Sequence, residues 1–190
     1  MPRQTRQQID DEIIDRTAAL FARYGFEETS LQRVADAVGY SKSGLLRHFP
    51  SKDALQRAVV DRCLSALTGI VRDVADIGPG AERDHAVLTG LARMAIRWPG
   101  FMALLLWRLL QEPTASDVAL LEPVGDAIVE AFLVGPDTGL DRAVRVVGAV
   151  GALTVARVSL SQYLSTDAAV GNLVAVGYDA LGHTRSEGEN

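Results

Sequence analysis

The stretch VADAVGYSKSGLLRHFPSKDAL, Val34 to Leu55, decides how this chain is read. With Leu31 before it, Val34, Ala35 and Val38 repeat at the i, i+3, i+4, i+7 spacing of one helical face. Gly39 stops that run, because glycine accepts the left-handed backbone that ends a helix. Ser41 is placed to cap a new helix, which must end before Pro50. Two helices joined by the short turn Gly39-Tyr40-Ser41 make a helix-turn-helix connection. From Ala37 to Lys52 there is no Asp or Glu, although the chain carries a net charge of -5. That window holds Lys42, Arg47, His48 and Lys52, the hydroxyls of Ser41, Ser43 and Ser51, and Gly44.

At 3.6 residues per turn, Leu45, Leu46 and Phe49 share one side of the later helix, and Ser43, Gly44, Arg47 and His48 share the other. The second side is small residues flanked by long donors. Such a surface lets a helix backbone approach the DNA major groove, where an arginine can donate two hydrogen bonds to guanine. Thr29 and Ser30 begin the preceding helix, and Ser51 and Lys52 the following one; free N–H groups at helix starts suit phosphates. Phosphate contacts would set register while the middle helix reads bases. From the wheel and the charge alone, an ordinary solvated amphipathic helix is the commoner reading of such a pattern.

Outward from this stretch the periodicity stays helical, and no segment sustains the period-2 alternation of a strand. Ile9, Ile13, Ile14, Thr17, Leu20, Phe21 and Tyr24 form one stripe, with Thr5 and Gln8 at capping-box spacing and Gly25 as its end. Thr29 and Gln32 repeat that spacing before the second helix. Leu55, Val59, Cys63, Leu67, Ile70 and Val74 mark a long fourth helix, followed by a loop at Asp76–Asp84. Further helices are predicted over His85–Arg97, Phe101–Gln111, Ala115–Val134 with Pro123 kinking or dividing it, Leu140–Leu164 and Asp167–Leu181. Breaks fall at Trp98-Pro99-Gly100, Pro113 and Gly135–Gly139.

Charge is unevenly spread. Residues 1–57 hold nine Lys or Arg against eight Asp or Glu, and residues 58–190 ten against sixteen. A near-neutral first segment on an acidic remainder suggests two parts with different tasks. So few cations imply that contacts to a polyanion are doubled in a dimer. The one cysteine, Cys63, lies in an apolar-periodic stretch and reads as packing. The N-terminal MPRQTRQQIDDEII lacks a signal peptide's apolar core. The longest apolar run, Val146 to Ala156, is shorter than the ~20 residues of a membrane span, so the expectation is a cytoplasmic chain with no membrane partner. His48, His85 and His183 are scattered, and no metal-ligand spacing or phosphate loop is present, so no enzyme activity or cofactor is expected. Asp10-Asp11-Glu12 reads as acids near a helix start, favoured by its dipole.

Phe21 to Leu55, FARYGFEETSLQRVADAVGYSKSGLLRHFPSKDAL, resembles the DNA-binding segment of the tetracycline-repressor (TetR) family of bacterial transcription regulators. The carrying features are Tyr24-Gly25 with Phe26, Thr29-Ser30, Val34-Ala35, Gly39, and the closing His48-Phe49-Pro50-Ser51-Lys52. Ser43-Gly44-Leu45-Leu46 stands where the family often has Gly-Thr-Leu-Tyr, so a frequent contacting threonine is replaced by Gly44 and an aromatic by Leu46. The resemblance implies an all-α protein: a three-helix helix-turn-helix DNA-binding domain (1–52) and a helical ligand-binding and dimerisation domain (53–183); the polar composition of 184–190 reads as a flexible tail. It implies backbone contacts for Thr29, Ser30, Arg33, Ser41, Lys42 and Lys52, and a phosphate contact for His48. Ser43 and Arg47 lead for base readout, and Tyr40 either lies beside the DNA backbone or packs on the reading helix. The implied partners are a double-stranded operator, a small apolar or amphipathic effector and a second copy of the chain. The alternative is a helical binding or protein-interaction module that does not act on DNA.

Two features of the larger part read from its residues. The last two predicted helices interleave small residues with Val and Leu, a pattern suited to close helix approach, either between subunits or inside one chain. The interface candidates are Val144, Val147, Gly148, Gly151, Ala152, Val155, Val170, Leu173, Val174 and Gly177. An apolar cluster of Met94, Trp98, Phe101, Met102, Leu105, Trp107, Phe132 and Tyr163 reads as pocket lining or as plain core, with Arg97, Arg108, Gln111, Arg157 and Gln162 as polar partners for a ligand.

Overall fold

The computed structural model describes residues 5–110, 120–164 and 167–183. Gln111, Pro113, the start of the helix expected at Ala115 and the 184–190 tail lie outside the described residues. Among the described residues all regular structure is helical: α1 (Arg6–Glu28), α2 (Leu31–Val38), α3 (Lys42–His48), α4 (Lys52–Asp73), α5 (Ala81–Arg97), α6 (Pro99–Leu110), α7 (Glu122–Ala131), α8 (Leu140–Ser159) and α9 (Val170–Ala180), with a single 3-10 turn at Asp167–Ala169. None of these helices is long and apolar enough to cross a membrane. The chain divides into two compact units, Met1–Ser65 with Trp98–Glu122, and Ala66–Arg97 with Pro123–Asn190.

In the first unit, α1 opens with the expected capping box. Thr5 Oγ1 accepts from the Gln8 amide at 3.2 Å and Gln8 Oε1 from the Thr5 amide at 2.8 Å, a device that stabilises a helix start by about 1 kcal/mol. Gly25 (φ 80°, ψ 163°) kinks the helix, which continues to Glu28 instead of stopping. The kink turns Phe26 fully inward, its ring 4.4 Å from Phe21 and edge-on to Trp107. Thr29 does not cap α2. It is buried and donates to the Gly25 carbonyl at 2.7 Å, closing the end of α1. Ser30 caps α2 by accepting from the Arg33 amide, and Gln32 bonds to Asp36.

α6 lies along α1, and Gly100 makes that approach possible. A Cβ there would collide with the Asp15 carbonyl oxygen, while the Gly100 amide donates to Asp15 Oδ1 at 2.8 Å. Asp11 pairs with Arg62 of α4 at 2.8 Å, and that guanidinium lies 5.0 Å over the Trp98 ring. Asp10 and Asp11 therefore sit in the second turn of α1 as partners of His48 and Arg62, distant in sequence, and not as dipole caps. Cys63 is fully buried; burial first, and the Asp15 charge second, push its thiol up to about 12, leaving it a packing group without thiolate character.

In the second unit, Arg83 of α5 is buried and ties together chain ends. Its guanidinium donates to the carbonyls of Val74, Ile77 and Ala131 at 2.6–2.7 Å. Asp84 beside it is 1% exposed and accepts two hydrogen bonds from Arg142 and one from His183. Burial pushes this carboxyl up, but the hydrogen bonds and charges of Arg142 and His183 outweigh it and hold it below the usual value. Pro123 is the second residue of α7, where a missing N–H costs little, so it opens the helix instead of kinking it. α8 ends at Ser159, short of Leu164, and buries Val146, Ala149, Val150, Leu153 and Thr154. α9 packs on α5 at Gly177, where a Cβ would come within 2.6 Å of Leu88 Cδ2. The expected close helix approach through a small residue thus occurs here within one chain.

Candidate nucleic-acid interface

α3 is two turns long, and its surroundings hold it at both ends. Gly39 takes the left-handed conformation (φ 74°, ψ 26°) and its amide closes α2 on the Ala35 and Asp36 carbonyls. Ser41 caps α3, accepting from the Gly44 amide at 3.0 Å, with the Ser43 hydroxyl 3.1 Å away. Leu45 is fully buried, Phe49 nearly so and Leu46 half-buried, so the side predicted to face inward does so at two of its three residues and in part at the third. Lys42, Ser43 and Arg47 are exposed. No carboxylate belongs to this surface segment, because its sequence contains none between Ala37 and Lys52.

Three members of the predicted set have a more specific placement than the sequence suggested. Tyr40 packs on α3. A Cβ at Gly44 would lie 3.3 Å from its ring, so Gly44 makes room for Tyr40 as well as thinning the helix. His48 is turned toward α1. Its side chain is 16% exposed, its Nδ1 lies 2.5 Å from Asp10 Oδ1, and its ring meets Tyr40 edge-on at 5.7 Å. Lys52 Nζ donates to the Glu27 carbonyl at 2.6 Å, near the end of α1. An ammonium has three donors, so the bond leaves others for a second acceptor.

Around α3, Ser30 and Arg33 are exposed at the start of α2, while the Thr29 side chain is buried. The Arg33 guanidinium lies 4.2 Å over the Tyr24 ring, with Arg23 on the same ring at 5.2 Å. Such stacking orders a long cationic side chain before it meets a partner. Asp10 and Tyr24 were not read as site residues from the sequence. Asp10 stands 38 positions from His48, and no local pattern links such a pair.

The apolar cluster is divided between the units. Trp98, Phe101, Met102 and Leu105 are buried in the first unit with Trp107 beside Phe26, whereas Met94 and Phe132 are buried in the second. Tyr163, also in the second, is 72% exposed. The interface candidates also separate. Val144 (60%), Val147 (56%), Gly148 and Val155 are exposed along one side of α8, and Gly151 and Ala152 are half-buried beside them. On α9, Val170 is half-buried, but Leu173, Val174 and Gly177 belong to the chain's own core.

Comparison with known proteins agrees with this arrangement. The family model described as bacterial regulatory proteins, tetR family, matches residues 13–59, which span most of α1, all of α2 and α3, and the start of α4. An uncharacterized HTH-type transcriptional regulator of Mycobacterium tuberculosis is 32% identical over 131 residues, covering 67% of this chain; the chain spans 63% of that relative's length. The biofilm operon icaADBC HTH-type negative transcriptional regulator IcaR of Staphylococcus aureus is 34% identical over 61 residues, 32% of this chain and 33% of that protein. The crystal structure of a TetR-family transcriptional regulator from Bordetella parapertussis superposes with a TM-score of 0.62 at 24% identity, covering 95% of this chain and 100% of that one, a likeness of fold. With the helix-turn-helix geometry and these matches together, residues 13–59 carry the DNA-binding segment of the tetR family of bacterial regulatory proteins, and the chain as a whole has the fold of such regulators.

Proposed function

We propose that this protein is a ligand-responsive transcription regulator, most simply a repressor, that binds a palindromic operator as a homodimer and is released by a small apolar or amphipathic effector. The observation that carries the reading is the exposed, acid-free side of α3, with Lys42, Ser43 and Arg47 outward on a helix capped by Ser41 and seated by Leu45. Arg47 and Ser43 read base edges, and Ser30, Arg33, Lys42 and Lys52 hold the phosphate backbone. Residues 1–52 form the DNA-reading part and 53–183 the sensing and dimerising part. Repression as the sense of regulation follows the similarity to a negative regulator.

The second subunit is assigned to α8. Leu140, Val144, Val147, Gly151, Val155 and Val158 recur at three- and four-residue steps, all exposed except the half-buried Gly151, with exposed Gly148 beside them. A contiguous apolar stripe on a helix is a surface that association would cover. Two copies of α3 would then enter successive major grooves about 34–36 Å apart. An effector that favours a different subunit spacing by about 1–3 kcal/mol would lower operator affinity ~5–150-fold. Trp98, Phe101, Met102, Leu105 and Trp107, all in the first unit, are its proposed lining, and the cytoplasm is the proposed compartment.

The experiment is selection of bound duplexes from a random double-stranded library, then titration of the winner at several salt concentrations. A dimer with 6–10 phosphate contacts should lose about 10³–10⁵ in affinity between 50 and 200 mM salt. Failure to enrich any sequence would overturn the reading.

A further inference from the structure

We propose that Asp10 of α1 is a positioning residue for DNA recognition: it fixes the rotation of α3 through His48 and itself makes no contact with DNA. The inference rests on the reading of α3 as the DNA-reading helix.

A two-turn helix has no stable orientation of its own, so its neighbours must set it. Leu45 and Phe49 seat α3 four residues apart, one above the other, with half-buried Leu46 flanking them. Anchors gathered on one side of so short a helix hold its rotation only weakly. His48 projects from a different side of α3, and its hydrogen bond to Asp10 supplies the missing lateral anchor. Tyr40 braces the same ring edge-on at 5.7 Å. Arg6 adds a weaker tie from α1, 3.5 Å from the Arg47 carbonyl and 3.9 Å from Asp10 Oδ2. It is largely exposed, so its ion pair contributes little.

Side-chain tips lie ~5–6 Å from a helix axis, so a roll of about 10° displaces them by about 1 Å. That displacement is enough to spoil a bidentate arginine–guanine contact, whose hydrogen bonds tolerate only a few tenths of an ångström. A carboxylate beside a DNA-facing helix repels phosphates. Its presence there is consistent with a role in orientation and unfavourable for direct binding.

The sign of one substitution separates the two effects. Asp10→Ala removes a negative charge, which by electrostatics alone tightens binding to every duplex. Loss of orientation instead weakens binding to the selected duplex only. The probes are the duplex enriched by the wild-type protein and a scrambled duplex of equal length, read by fluorescence anisotropy at one salt concentration. Asp10→Ala is expected to lose tenfold or more on the selected duplex and to bind the scrambled one equally or more tightly. Asp10→Asn keeps an acceptor oxygen for His48 and is expected to restore the ratio between the two. Should the alanine variant unfold by circular dichroism, Asp10→Ser, too short to reach the ring, carries the same expectation. A folded Ala or Ser variant that binds the selected duplex as tightly as wild type overturns the proposal. Wild-type protein that binds both duplexes alike overturns the DNA reading beneath it instead.

Discussion

Gly148 and Gly151 lie in the interior of α8, and a Cβ built at either meets no atom within 4 Å. Within the single chain these glycines therefore have no packing reason to be glycine. Replacing both with alanine should favour the helix by about 1 kcal/mol each, or about 2 kcal/mol per subunit. If α8 instead packs on its counterpart in a second subunit, four new methyl groups enter one interface, and overpacking of that kind costs about 1–3 kcal/mol. The two effects are read separately. Sedimentation velocity over a dilution series reports the dimer, and thermal unfolding below the dissociation constant reports the isolated subunit. The expected result is a more stable subunit and a dimer weakened ~5–150-fold. A stabilised subunit with unchanged dimer affinity would refute the placement of the interface over these glycines.

Gly100→Ala should lower the melting temperature by several degrees, since the methyl meets the Asp15 backbone oxygen and the misfit costs about 1–3 kcal/mol. Gly69→Ala, in α4 with open space at its Cβ, should leave it unchanged or raised; equal behaviour of the two would show that the α1–α6 approach is not tight. Asp84 titrates below its ordinary value of 3.8 in the folded chain, so its contribution is complete above that pH and is lost as pH falls through the lower folded value. Denaturant titrations at pH 7 and pH 3 should show a smaller stability loss for Asp84→Asn than for wild type, and an identical loss would remove Asp84 from the acid response.

Much of the fold was legible because it rests on local chemistry. Gly39 and Ser41 do what their types allow, and Leu45 and Phe49 follow from period 3.6. The misplacements occur where two residues of the same type compete or where distance along the chain hides a partner. Thr29 and Ser30 are adjacent hydroxyls, and either suits a cap. The kink at Gly25 buries Thr29 against its own helix end, which hands the cap to Ser30. Gly148 and Gly177 belong to the same small-residue pattern, yet only Gly177 is crowded, by Leu88 on α5. Spacing shows that small residues share a face; it does not show what stands opposite. Arg47 was visible as an outward donor, whereas the Asp10–His48 link depends on how α1 and α3 meet.

The most direct measurement compares Arg47→Ala with wild type on the selected duplex and on the scrambled one. Base reading by α3 predicts a loss of about 1–3 kcal/mol on the selected duplex, little change on the scrambled one, and relaxed preference at one base pair of each half-site. Equal losses on both duplexes would make Arg47 a phosphate contact, and no loss on either would contradict DNA reading through this side of α3.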